Sequence, residues 1–106
     1  MTVVAVVGGG QLARMMAPAA TAMGVTLRVL VESEVAAAAL PAHETVVGLP
    51  SDPAAIEALL AHPRPAVVTW EHEHIPDHVF DKASHHGVVA LPSREALLFA
   101  RDKIAM

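Results

Sequence analysis

Cysteine is absent from the 106-residue sequence. Disulfide bonds, thiolate-held metal ions and a cysteine nucleophile are therefore excluded, and the absence fits a cytoplasmic protein. Aromatic residues make up only 3% of the chain and charged residues 17%, whereas hydrophobic residues make up 54%. Disordered chains show the opposite balance, so the composition predicts a folded protein. The length fits one domain.

Positive charge is also scarce, with 7 Lys and Arg residues against 11 Asp and Glu residues and a formal net charge of -4. An acidic chain has no electrostatic reason to bind nucleic acid or an anionic membrane surface. No apolar run reaches the ~20 residues of a membrane span, and no basic segment typical of a signal peptide opens the chain. We therefore expect a cytoplasmic protein with neither nucleic acid nor a membrane as partner.

Short apolar runs alternate with amphipathic segments along the chain. Strands are predicted at 2–7, 26–31, 44–47, 66–69 and 88–91, helices at 11–23, 53–62, 76–86 and from 93 onward, and a short helix or turn at 35–40. The strand runs do not alternate with polar residues, which is typical of parallel sheets buried on both faces. The order predicts an α/β fold, a five-stranded parallel sheet with helices on both faces. Pro18 should bend the first helix.

The last predicted helix lacks a stop signal. No glycine, proline or polar tail follows its apolar positions before Met106, although helices normally carry such signals. We therefore expect that the sequence is cut near a domain boundary and that more chain follows.

A glycine-rich segment joins the first strand to the first helix. Gly8-Gly9-Gly10-Gln11-Leu12-Ala13 fits the pattern G-x-G-x-x-[G/A]. Glycines allow a tight turn and a close approach of ligand, and the helix N-terminus behind them suits an anion. A turn without a ligand is the alternative. The G-K-[ST] ending of an ATP-binding Walker motif is missing. Glu32, 22 residues after Gly10, stands where a dinucleotide-binding fold places its ribose-binding acid, so an NAD(P)-binding module stays open.

An acidic segment follows the fourth strand. If the chain stays extended there, Glu71 and Glu73 point the same way, because side chains alternate along a strand. They would face the crevice that the glycine loop borders and could accept hydrogen bonds from ribose hydroxyls or an amine. A solvated acidic loop without a ligand is the alternative.

Histidines and serines offer weaker indications. His72 and His74, with His78 nearby, have a spacing that permits a structural zinc site, although no cysteine supports one. The serines fall at turns or caps and no G-x-S-x-G elbow occurs, so no catalytic residue is predicted. The remaining histidines are expected on the surface: His43, His62, His85 and His86.

Three segments together resemble the 5-(carboxyamino)imidazole ribonucleotide synthases, an ATP-grasp family of purine biosynthesis. They are the glycine motif continued by Arg14-Met15-Met16-Ala17, the stretch 67–76, which looks like T-[FW]-E-x-E-x-[VI]-P, and the stretch 92–103, which is similar to P-[ST]-x-x-[AT]-L…QDR. The resemblance covers the whole chain but only the family's N-terminal domain. Departures include His74 for Asn, Val31-Glu32-Ser33 for Leu-Asp-Pro and Arg101-Asp102-Lys103 for Gln-Asp-Arg. A related transformylase usually has Glu at the position of Gln11.

The resemblance implies a Rossmann-like, pre-ATP-grasp domain over residues 1–92, with 93–106 opening the helical connection to an ATP-grasp domain absent from the sequence. The family is a bacterial ligase that uses ATP and magnesium to carboxylate aminoimidazole ribonucleotide with bicarbonate, through carboxyphosphate. A homodimeric full-length enzyme is implied, and the 106-residue chain should be inactive alone. An NAD(P)-binding module and a regulatory or scaffold domain without a ligand are the alternatives.

The resemblance also implies site residues. Gly10, Gln11 and Leu12 match substrate contacts that follow the glycines, and Glu71 matches the first acid of E-x-E, with Glu73 the second. Lys103 matches a basic residue that contacts ATP, although Lys in place of Arg loses bidentate geometry. No metal ligand is implied in this chain.

Overall fold

In the computed structural model of the chain, the described residues are 2–8, 11–34, 43–70 and 75–91, without the side chains of Gln11 and Leu12. Their elements in chain order are β1 (Thr2–Val7), α1 (Gln11–Ala22), β2 (Val25–Val31), β3 (Glu44–Val47), α2 (Pro53–Leu60), β4 (Val67–Trp70), α3 (Asp77–His86) and β5 (Val89–Ala90). The predicted helices at 35–40 and from 93 onward lie outside the described residues. The predicted order of the other elements is confirmed.

The strands form one five-stranded sheet in the order β3-β2-β1-β4-β5, and every pairing is parallel. β1 is central, and its last residue, Val7, pairs with Leu30 of β2 and with Trp70 of β4. The chain leaves β1 for β2 on one side, while β4 lies on the other. In parallel sheets such a reversal opens a crevice at the carboxyl ends of the two strands, here β1 and β4.

Helices cover both faces of the sheet. On one face, Ala13 and Ala20 of α1 share a core with Val6, Leu27 and Val29 of the strands. On the other face, residues of α2 and α3 pack against alternate strand positions: Ile56, Leu59, Val79 and Phe80 against Ala5, Val7, Leu30 and Val68. Because both faces of the central strands are buried, their sequences are continuously apolar. The predicted α/β architecture is confirmed.

Helix ends follow the sequence signals. The Asp52 Oδ1 atom accepts a hydrogen bond from the Ala54 N–H at 3.0 Å at the start of α2, and Pro53 occupies the first helical position. α3 ends at Gly87, whose φ of 72° lies in the left-handed region. α1 continues through Pro18. Pro18 has no N–H to bond the carbonyl of Arg14, and both residues lie on the exposed side of the helix, where the loss of that bond costs less than in the core.

Arg28 is a charged residue in a buried strand, and it is only 5% exposed. Its Nε donates to Glu44 Oε2 at 2.7 Å, and its two terminal nitrogens donate to carbonyl oxygens at the end of α2 and in the turn that follows: Leu59 O at 3.1 Å, Ala61 O at 2.8 Å and Pro63 O at 2.9 Å. One guanidinium therefore joins β2, the edge strand β3 and the α2–β4 turn.

Two histidines expected on the surface are half-buried and have partners. His43 Nδ1 accepts a hydrogen bond from the Leu27 N–H at 3.2 Å, and its Nε2 lies 3.1 Å from the Thr21 hydroxyl. The accepting Nδ1 carries no proton, so Nε2–H donates to Thr21. His86 Nε2 lies 2.7 Å from Glu57. Both side chains stay partly exposed at the surface, and the other two histidines of the surface prediction, His62 and His85, are exposed.

Glu57 links α2 to α3 through one carboxylate. Its Oε1 accepts from Lys82 Nζ at 2.7 Å, and its Oε2 lies 2.7 Å from His86 Nε2. The hydrogen bonds from Lys82 and then from His86 lower the pKa of Glu57 below its ordinary value.

No helix among the described residues is long and apolar enough to cross a bilayer.

Candidate functional site

The carboxyl edge of the sheet turns sharply after its central strand. Gly8, directly after β1, has a φ of 110°, a conformation that favours glycine. Its N–H donates to Leu30 O at 3.1 Å, which keeps it level with the neighbouring strand. Three residues later the chain enters α1 at Gln11. The predicted strand–glycine–helix arrangement is thus in place at both ends, while Gly9 and Gly10 lie outside the described residues.

Three described helices begin at this edge, because each follows the carboxyl end of a strand. Asp52 caps α2, and Asp77 stands in the first turn of α3. α1 has no acidic residue in its first turn. The positive end of its dipole is therefore not offset by a carboxylate of that turn, and it suits an anionic or polar ligand group.

The two residues that flank the acidic segment in the sequence, Trp70 and Ile75, are buried. Trp70 is 6% exposed and Ile75 is 2% exposed, and both belong to the core that α2 and α3 build. The Trp70 ring meets the Phe80 ring edge-on, with centroids 5.0 Å apart, a favourable aromatic geometry. Glu71 and Glu73, which lie between these anchors, are outside the described residues. Trp70 itself pairs with Val7 of β1, so the segment starts next to the glycine loop.

The remaining predicted groups are placed in part. Glu32 is exposed and directly follows β2 at this edge, as expected for the dinucleotide alternative. Lys103, His72 and His74 lie outside the described residues, as do the backbone of Gly10 and the side chains of Gln11 and Leu12. Within 2–8, 11–34, 43–70 and 75–91, no group of three or more His, Asp or Glu side chains could hold a metal ion.

Comparison with known proteins decides between the alternatives. The family model of the ribonucleotide synthetase preATP-grasp domain matches residues 1–101. The chain belongs to this family. The N5-carboxyaminoimidazole ribonucleotide synthase of Mycobacterium tuberculosis strain H37Rv is 45% identical over 103 residues, which are 97% of this chain and 24% of that protein. The preATP-grasp chain thus spans about a quarter of the length of this relative.

Solved structures show the same likeness. The N5-carboxyaminoimidazole ribonucleotide synthetase of Thermotoga maritima has a TM-score of 0.75 and 32% identity, covering 92% of this chain and 26% of that one. The N5-carboxyaminoimidazole synthase of Aspergillus clavatus, solved with ADP and 5-aminoimidazole ribonucleotide, has a TM-score of 0.74 and 30% identity, covering 91% of this chain and 25% of that one. The small NAD(P)-binding module is therefore not favoured for the preATP-grasp chain.

Two residues that the structure singles out were missed or misjudged from the sequence. Arg28 carried a visible signal, since it interrupts the apolar run of β2, but its partners come from the distant end of α2. His78, the second residue of α3, was considered only as a metal ligand. Both of its ring nitrogens are buried and have no hydrogen-bond partner among the described residues, a state that no sequence pattern signals.

Proposed function

We propose that this chain is the N-terminal, ribonucleotide-side domain of an ATP-dependent carboxylating ligase of de novo purine biosynthesis. The full-length enzyme would convert aminoimidazole ribonucleotide, bicarbonate and ATP to 5-(carboxyamino)imidazole ribonucleotide, ADP and phosphate. The observation that carries the proposal is family membership over residues 1–101, joined to relatives that are N5-carboxyaminoimidazole ribonucleotide synthases. The domain would be cytoplasmic and, within the full-length enzyme, part of a homodimer.

In this proposal the ribonucleotide binds at the carboxyl edge between β1 and β4. Gly10, Gln11 and Leu12 contact it at the N-terminus of α1, whose first turn contains no acid. Glu71 and Glu73 contact it from the segment anchored by Trp70 and Ile75. A carboxylate there accepts hydrogen bonds from the ribose hydroxyls or from the exocyclic amine, and so orients the nitrogen that is to be carboxylated.

The chemistry itself would occur against the part of the enzyme outside this chain. ATP phosphorylates bicarbonate to carboxyphosphate and releases ADP, and the amine nitrogen then forms a bond to the carboxyl carbon as phosphate leaves. We assign ATP and magnesium mainly to the ATP-grasp domain, with Lys103 as the ATP contact supplied here. The boundary is proposed at residues 92 and 93, and the chain alone is proposed to be inactive.

Steady-state kinetics of the full-length protein test this function. We expect ADP and phosphate to form only when ATP, bicarbonate and aminoimidazole ribonucleotide are all present. Glu71→Ala and Gln11→Ala should raise KM for the ribonucleotide about tenfold or more, as expected for loss of a buried charged or polar contact. Lys103→Ala should raise KM for ATP instead.

Glu34→Ala is the matched control, because Glu34 is an exposed carboxylate that follows β2 near the same edge, and it should change neither KM. ATP consumption with no formation of 5-(carboxyamino)imidazole ribonucleotide, when all three substrates are present, would refute the assigned reaction. Phosphate release by the isolated 106-residue chain above background would refute its inactivity.

A further inference from the structure

His43 joins three elements of the fold through one imidazole ring. Its Nδ1 accepts a hydrogen bond from the Leu27 N–H of β2 at 3.2 Å, and its Nε2 lies 3.1 Å from the Thr21 hydroxyl of α1. His43 itself directly precedes the edge strand β3. The ring therefore ties the beginning of β3 to the last turn of α1 and to the neighbouring strand.

The imidazole extends the hydrogen bonding of β2 beyond its ladder with β3. The first registered pair of the two strands is Arg28 with Glu44, so Leu27 lies one position before that ladder. Leu27 is only 1% exposed, which leaves its N–H little access to water. A buried donor that loses its acceptor costs more than an exposed one, so the Leu27 N–H depends on the His43 ring.

This hydrogen bond requires the neutral form of the ring. A neutral imidazole has one N–H and one accepting nitrogen, whereas the protonated ring has two N–H groups and no acceptor. Because Nδ1 of His43 accepts from Leu27, the single proton of the ring is on Nε2. A second proton, on Nδ1, would point at the Leu27 N–H and leave that donor without an acceptor.

The charged groups around His43 give a protonated ring no ion pair. Among the described residues of α1, β2 and β3, the charged side chains are Arg14, Arg28 and Glu44. Arg14 lies about two turns away from Thr21 along α1. Glu44 binds Arg28 at 2.7 Å, and adjacent residues of a strand point to opposite faces of the sheet, so Glu44 points away from the α1 side, where His43 meets Thr21.

We propose that His43 is an acid-sensitive strap that holds the beginning of β3. The neutral ring ties it to α1 and β2, and protonation of Nδ1 breaks the bond to Leu27 and releases it. The folded protein loses a hydrogen bond when it takes up this proton and the unfolded chain does not, so the stabilisation is lost as the pH falls through the histidine range of about 8 to 5. The strap needs no ligand, so it stands apart from the proposed ligase function.

Hydrogen exchange of the Leu27 amide tests the strap in the full-length protein. Measured by mass spectrometry at single-residue resolution and corrected for the intrinsic exchange rate, its protection should fall about tenfold from about pH 8 to about pH 5. His43→Asn retains an acceptor oxygen in place of Nδ1 but cannot be protonated, so its protection should change less than about twofold over this range. His85→Asn, at an exposed histidine of α3, is the matched control and should behave as wild type.

Two further measurements separate the strap from a merely structural role. His43→Leu removes the acceptor, so the Leu27 amide should exchange faster than in wild type at about pH 8 and show no further loss in acid. Nitrogen-15 NMR of histidine-labelled protein should show the His43 proton on Nε2 at about pH 8, with the signal assigned by its absence from His43→Asn. A proton on Nδ1 at that pH would overturn the inference. So would Leu27 protection that does not change with pH in wild type, or that changes equally in His43→Asn.

Discussion

Replacing Arg28 with methionine should destabilise the fold more than any exposed charge substitution. The side chain is 6% exposed and its nitrogens donate to Glu44 and to three main-chain carbonyls at 2.7–3.1 Å. Methionine keeps most of the aliphatic volume but leaves these acceptors without a donor. The Leu59 carbonyl is the most costly of them, because its bond to Arg28 is buried and water cannot replace the lost donor.

The magnitude follows from the kind of network that is broken. Removing one member of a buried, hydrogen-bonded charged group costs about 3–5 kcal/mol, against about 5–15 kcal/mol for the whole stability of a typical domain. Glu44 contributes little of this, since its side chain is 43% exposed and becomes hydrated when unpaired. Glu44→Gln should therefore cost less than about 1 kcal/mol. Arg28→Lys should lose most of the stabilisation that Arg28 provides, because one ammonium cannot reach all the carbonyls.

Urea denaturation followed by fluorescence measures these losses. Trp70 is the single tryptophan of the chain and is 6% exposed, so its emission reports unfolding. Arg64→Met is the matched control, because Arg64 is exposed and makes one long contact, to His86 O at 3.4 Å. A loss below about 1 kcal/mol for Arg28→Met, or an equal loss for Arg64→Met, would refute the reasoning.

Two further substitutions test contacts elsewhere. Glu57→Gln removes the carboxylate that binds Lys82. Lys82 and His86 lower the pKa of Glu57 from its ordinary 4.5. The stabilisation from these contacts is therefore present above pH 4.5 and is lost as the pH falls through the lower pKa of the folded state. The Tm difference from wild type should therefore shrink below pH 4.5, and a growing difference there would contradict the assignment. Gly48→Ala would place a methyl carbon 2.6 Å from the Cβ of Ala55 and should cost about 1–3 kcal/mol in urea denaturation. In an Ala55→Gly background, where the close contact is absent, Gly48→Ala should cost much less, and an equal cost in both backgrounds would exclude the clash as its cause.

Local signals were enough to predict the architecture. Continuous apolar runs located all five strands of the sheet, the Asp52-Pro53 pair marked the start of α2, and Gly87 marked the end of α3. Boundaries shifted by a residue or two where pairing decides them. β5 was predicted at 88–91, whereas the strand is Val89–Ala90, with one further hydrogen bond from the Leu91 N–H to Val68 O at 3.0 Å.

What the sequence could not indicate depends on residues distant along the chain. The contact between Gly48 and Ala55 exists only once α2 lies over the exit of β3. The three carbonyl partners of Arg28 come from residues 31 to 35 positions away, and no spacing rule links them. At the candidate site, the glycine turn after β1 was predictable from local chemistry, whereas the anchoring of the acidic segment by Trp70 and Ile75 required the packing of α3.

The described contacts separate stability from ligand binding along the length of the sheet. The Arg28 network lies where α2 ends and β4 is about to begin, at the amino edge, and the Glu57 cluster bridges the later turns of α2 and α3. The N-terminus of α1 lies at the carboxyl edge, as does Trp70, which precedes the acidic segment. Substitutions in the first group should therefore lower Tm while leaving KM for the ribonucleotide near wild type at temperatures where the protein stays folded. Gln11→Ala, at the carboxyl edge, should show the reverse. Measuring both Tm and KM for the ribonucleotide on each variant therefore distinguishes the two classes of residue.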